Sequence, residues 1–329
     1  MTDRPARRRA DEGREAELKL VGRARRRPKK PVKAKPPPLE PGMSAGRSFQ
    51  VIGFSCLQHL LANEPVLRET RDPEAVHQMR VAVRRLRAAI SIFKAMAADE
   101  RGDAVMRDLR WLATRLGEAR DLDVFIEKTI APARQRRPHA EDLAALAAAY
   151  EERRKAAYEK AREAVSSGRL DRIALATAAW LEKGRWLSRE DTAARSEQRV
   201  EDLAAKELGR RWKRVRRRAK HLEALEPPAR HEVRIAVKKL RYAAEFFRAL
   251  FPGKARAKRA KALRAALGEL QDRLGDLNDI AVADKMEHAR EHEAAARLLA
   301  REQAGRLGEH LGAAKAAYRK FAATDPFWR

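Results

Sequence analysis

His77-Gln78-Met79-Arg80-Val81-Ala82-Val83-Arg84-Arg85-Leu86-Arg87 recurs as His231-Glu232-Val233-Arg234-Ile235-Ala236-Val237-Lys238-Lys239-Leu240-Arg241. Six of the eleven positions are identical, and each Arg/Lys exchange keeps the charge. About forty residues beyond each copy a second pair appears. Arg115-Leu116-Gly117-Glu118-Ala119-Arg120-Asp121 follows the first copy, and Arg273-Leu274-Gly275-Asp276-Leu277-Asn278-Asp279 follows the second. The offsets are 154 and 158. Two matches in the same order at nearly one offset indicate a duplicated unit of about 150 residues.

On a helix turning 100° per residue, His77, Arg80, Arg84 and Arg87 share an arc of about 80°. Met79, Val83, Leu86, Ile90 and Phe93 form an adjacent apolar stripe, the pattern of a core-facing helix. The second copy repeats this. His231, Arg234, Lys238 and Arg241 share the arc, and Val233, Val237, Leu240 and Phe247 share the stripe. The cations therefore abut the buried face instead of opposing it.

A solvated face ordinarily interleaves acids four residues away, and none stands among these positions. Grouped cations of this kind suit a chain of phosphates, to which Arg offers forked donors and Lys a point charge. A histidine in such a field is pushed towards neutrality, whereas phosphate contact favours its charged form. Two such helices are expected to face each other across one groove. Arg85 and Lys239 fall outside the arc and need a further wall.

The bulk composition agrees with a polyanion binder. The 329 residues carry a net charge of +27, which repels itself unless nucleic acid, an anionic membrane surface or inorganic polyphosphate is nearby. Hydrophobic residues at 44% suffice for a core, so this is not a wholly disordered chain. Aromatic residues at 5% are too few for a platform that stacks single-stranded bases. A single cysteine, Cys56, excludes an internal disulfide framework and a Cys-rich zinc module, and reads as a small buried hydrophobe. No stretch approaches the ~18 apolar residues of a membrane span, and no secretory signal is visible, so a cytoplasmic location is expected.

Residues 1–42 differ from the rest. They hold seven of the fifteen prolines, and fourteen Lys/Arg against six Asp/Glu, which predicts a disordered, basic, proline-rich tail. From residue 43 on, helix formers dominate and strand alternation is absent, so the fold class is all-α. Asp72-Pro73 and Pro227-Pro228 mark helix starts, and Gly102, Gly117, Gly168, Gly253 and Gly275 are expected stops.

The doubled helix and the Leu116–Val124 stretch, Leu-Gly-x-x-Arg-Asp-Leu-Asp-Val, resemble the CHAD family, the conserved histidine α-helical domain. The resemblance covers about residues 43–329. It implies two four-helix bundles related by pseudo-two-fold symmetry around a basic central groove, with a first repeat over 43–190 and a second over 191–329. It also implies binding of inorganic polyphosphate, with attachment to polyphosphate granules. The implied binding positions are His77, Arg80, Arg84, Arg85, Arg87, His231, Arg234, Lys238, Lys239 and Arg241. Arg110, Lys213 and Arg217 are additional basic candidates, each beside an apolar or aromatic residue.

Asp121, Asp123 and Asp279 are expected to orient the arginines by buried pairing. His59, His139, His221, His288, His292 and His310 read as surface or core histidines. His288 and His292 stand four apart but lack a third ligand, so neither a metal nor another cofactor is expected. No metal-binding carboxylate set lies near His77 or His231, which argues against phosphoryl-transfer catalysis. A sequence-independent nucleic-acid binder is the second reading. Glu15-Ala16-Glu17-Leu18-Lys19-Leu20 resembles the opening strand of CYTH-type triphosphate tunnel enzymes. The proline-rich stretch begins within ten residues, so it reads as a relic without triphosphatase activity.

Overall fold

A computed structural model describes residues 30–283 and 293–329. Among these residues the regular structure is entirely helical, an all-α fold. The helices are α1 (Ala45–Glu69), α2 (Pro73–Ile92), α3 (Lys94–Ala97), α4 (Glu100–Phe125), α5 (Ala131–Arg136), α6 (Glu141–Ser166) and α7 (Arg169–Lys183). They continue with α8 (Glu190–Glu197), α9 (Val200–Arg218), α10 (Pro227–Phe247), α11 (Lys254–Ala283), α12 (Glu293–Gly305) and α13 (Leu307–Ala322). The π-helical turn Ile126–Ile130 joins α4 to α5. None of the described helices is long and apolar enough to cross a membrane.

The chain forms two compact units. Of the described residues, the first comprises 30–38, 44–121 and 154–198, and the second comprises 39–43, 122–153, 199–283 and 293–329. The sequence places one division near residue 190. The structure instead lets α4 and α6 contribute to both units, because neither helix is interrupted at the boundary.

Both signature helices start where the prolines indicate. Asp72 caps α2 by accepting from the Glu74 amide at 2.8 Å, with Pro73 in the first turn. Pro227 opens α10. The apolar stripes are the cores. Met79, Val83 and Phe93 are at most 1% exposed, as are Val233, Val237, Leu240 and Phe247. In the first unit α2 packs along α1, and Phe49 of α1 gathers Phe93, Trp180 and Trp186 at centroid distances of 5.1 to 5.4 Å. Cys56 is buried there too. In the second unit α10 packs between α9 and α11.

Two of the glycine stops hold: Gly168 (φ 69°) separates α6 from α7, and Gly253 (φ 113°) precedes α11. Gly102, Gly117 and Gly275 lie inside helices instead. For the first two the reason is space. A Cβ on Gly102 would stand 2.6 Å from the Trp180 ring, and one on Gly117 2.7 Å from Nη1 of Arg80.

The expectation of a disordered tail does not extend over its last residues. Residues 31–38 form an extended strap on the first unit. The Val32 amide donates to Oδ1 of Asn63, and the Val32 carbonyl accepts from Nδ2 of Asn63 and Nε2 of His59. The Lys35 carbonyl accepts from Nη2 of Arg85. The CYTH-like segment at Glu15–Leu20 and the pair His288 and His292 lie outside the described residues.

Candidate basic site

In the first unit α2 lines up His77, Arg80, Arg84 and Arg87 beside its buried stripe, all four half-buried. Arg80 reaches towards α4. Its Nη1 approaches the Ala113 carbonyl at 3.5 Å, and its Nη2 pairs with Asp121 at 3.2 Å. The bare Cα of Gly117 gives the guanidinium room to lie there. The Leu-Gly motif thus serves the arginine arc and does not terminate a helix. Asp121 does pair with an arginine, as the sequence suggests, but it is 75% exposed, so the bond is screened and adjustable instead of buried.

The local field is strongly positive. Burial lowers the His77 pKa below its usual 6.5, and Arg120, Arg84 and Arg80 lower it further against the opposing pull of Glu74. Burial also depresses Arg87, with Arg110 as the next cause. Arg110, exposed on α4, is thus near enough for its charge to weigh on Arg87. Arg120 was not singled out from the sequence, even though it occupies a position of the repeated Leu-Gly motif.

The second unit varies the plan. His231 shares its Nδ1 hydrogen with Oδ1 of Asn278 at 3.0 Å. Asn278 stands where the first repeat has Arg120, so this histidine meets a neutral amide instead of a cation. Arg234 and Lys128 both face Asp279, whose carboxyl is raised mainly by burial and partly restored by those two cations. Lys128 lies 3.8 Å from Asp276 and 4.0 Å from Asp279, and Arg273 and His310 also approach Asp276. Lys128, on the π-helical turn, is a member that no sequence pattern marked. Lys238 and Arg241 are half-buried along the same helix.

Two of the implied positions do not join these arcs. Arg85 is 0% exposed and holds the strap through the Lys35 carbonyl, so it is a structural guanidinium that no phosphate can reach. Lys239 faces Arg211, Arg214 and Arg218 of α9 instead. One helical step of 100° separates each from the arc residue before it, which is enough to change faces. Lys213 and Arg217 are exposed on α9, and nothing in the structure brings them to the α10 arc. Asp123 is buried, whereas His139 and His221 are exposed surface residues. His59 is a core histidine. Among the described residues no group of three or more His, Cys, Asp or Glu is arranged to hold a metal ion.

The chain is therefore an all-helical protein of two units, each with a His/Arg helix whose cations border its own core. It belongs to the CHAD domain family, whose model matches residues 52–288. The structure is similar to the crystal structure of the CHAD domain from the plant Ricinus communis. The two share 30% identity with a TM-score of 0.75, over 90% of this chain and 98% of the plant chain. The fold also resembles PptA from Streptomyces chartreusis, at 18% identity and a TM-score of 0.57, over 84% of this chain and 99% of that one. No curated protein matches.

Proposed function

We propose that this protein binds inorganic polyphosphate without transforming it, through the basic arcs of α2 and α10. One observation carries the reading. His77, Arg80, Arg84 and Arg87, with Arg110 and Arg120 beside them, concentrate positive charge at the edge of a core, balanced nearby by the exposed Asp121 and by Glu74. Half-burial excludes part of the water that otherwise screens such charges. A chain of phosphates relieves their repulsion through charge-assisted hydrogen bonds. Membership of the CHAD family supports this ligand class over duplex DNA. Attachment to polyphosphate granules in the cytoplasm follows as the place where such binding would act.

The test is direct titration of the full chain with long-chain polyphosphate. Tight binding is expected that duplex DNA does not compete for at moderate salt. His77→Ala and Arg84→Ala together with His231→Ala and Lys238→Ala should weaken it by at least a hundredfold, about 3 kcal/mol for several charge-assisted contacts. Unchanged affinity in that variant refutes the assignment. Release of orthophosphate by the purified protein would replace the binding role with a catalytic one.

A further inference from the structure

His59 of α1 lies against α2 and the strap and is 6% exposed. Its Nε2 stands 3.0 Å from the Val32 carbonyl and 3.1 Å from Oε1 of Gln78. Both of these oxygens accept, and the Gln78 amide nitrogen already donates to Glu74 at 2.7 Å. The two contacts therefore require the hydrogen on Nε2 and leave Nδ1 as the bare nitrogen. Nδ1 is buried and has no hydrogen-bond partner among the described residues. A second proton would have to sit there, without an acceptor and out of water.

The charges around the ring make that proton costlier still. Arg85 and His77 of α2 both oppose a cation at His59. Glu74 engages Gln78 instead of the ring, and Glu64 of α1 pairs with Arg68 at 3.1 Å. The strap offers the ring a backbone carbonyl, while its own Lys33 and Lys35 are exposed cations. Burial and then Arg85 lower the His59 pKa from 6.5 to about 4, with the bonds to Val32 and Gln78 opposing.

The strap is lightly held. Its bonds to the unit run through the Val32 amide, the Val32 carbonyl and the Lys35 carbonyl. Pro31, Pro36, Pro37 and Pro38 keep it extended, so it can close again at little entropic cost.

We propose that the strap is an acid-released latch, in which a proton taken up by His59 at Nδ1 lifts residues 31–38 from α1 and α2 and opens Arg85 to water. With the strap closed, a charged imidazole is sealed beside a sealed guanidinium. With it lifted, water reaches both, and a face covered by neutral carbonyls becomes cationic. The neutral ring favours the closed form fully above about pH 6.5, and that preference is lost as pH falls towards about 4. The latch does not depend on the proposed function, because no residue of the basic arcs holds the strap.

The test follows hydrogen exchange of the Val32 amide in the full chain, corrected for the intrinsic rate at each pH, with the core amide of Val83 as reference. Protection of Val32 should fall roughly tenfold or more between about pH 7 and about pH 5, and that of Val83 much less. Level protection at Val32 overturns the latch. A fall no greater than that at Val83 also overturns it, because the opening is then global. His59→Gln keeps a donor for the Val32 carbonyl and cannot titrate, while His77 remains. In that variant Val32 protection should be level across this range, whatever its absolute value; persistence of the fall overturns the assignment to His59. Should the variant not fold, nitrogen NMR of the imidazoles in the unaltered protein decides the matter. His59 should gain its proton only as Val32 loses protection, and a protonated His59 beneath a fully protected Val32 overturns the proposal.

Discussion

Gly117 ties the backbone of α4 to the basic arc of α2 at a single atom. Its missing Cβ leaves the 2.7 Å that the Arg80 guanidinium occupies. Gly117→Ala meets only the far end of a flexible side chain, so the fold yields easily. The helix gains up to about 1 kcal/mol of propensity. Thermal unfolding should therefore shift upwards or stay level, while polyphosphate affinity falls because Arg80 leaves Asp121. A variant that loses both stability and affinity contradicts this account. His77 gives a second prediction. Its unliganded pKa lies below 6.5, and a bound phosphate raises it, so binding takes up a proton. Affinity should rise as pH falls from 7.5 towards 5.5 and weaken as pH rises again. In His77→Gln that portion of the pH dependence should vanish. The helical wheel resolved these residues, because period and charge suffice to place an arc. It left Arg120 and Lys128 unmarked, because their partners come from other elements.

The strap illustrates what decides at the level of elements. Prolines and lysines over 31–38 carry little apolar area, and composition alone suggests no packing. The buried Asn63 supplies the missing interaction by pairing with both backbone groups of Val32. His59 adds its Nε2 hydrogen and is kept neutral, its pKa lowered to about 4 first by burial and then by Arg85. Gln78, held by Glu74, turns its carbonyl towards the same ring nitrogen. Asn63→Ala should cost about 1–3 kcal/mol, since it leaves polar groups of Val32 without partners. Denaturant unfolding measures that loss, and protease cutting after Lys33 should accelerate. Arg85→Met should change stability while leaving polyphosphate affinity intact, which separates it from Arg84→Met. The continuity of α4 and α6 through the unit boundaries belongs to the same scale. Gly102 and Gly117 read as stops in sequence, yet they serve close contacts inside a helix.

Over the whole molecule the net charge of +27 sets the behaviour. Such a chain should bind long-chain polyphosphate with steep salt dependence, because every neutralised phosphate releases counterions. Plotting log affinity against log salt should give a line whose steepness decreases when arc cations are removed. A flat plot would contradict electrostatic binding. Removing the exposed Lys213 and Arg217 should change the slope less than removing Arg84 and Lys238.

The doubled His/Arg helix was legible from the sequence alone. Its period, its charge and its adjacency to the apolar stripe follow from local helical geometry, and so did the all-α class. Tertiary structure decided what each neighbour of the arc does. Arg85 and Lys239 occupy equivalent places in the repeat, yet one is sealed beneath a strap and the other lies among the cations of α9. That difference depends on which element packs over the position, and helical periodicity carries no information about partners from distant sequence.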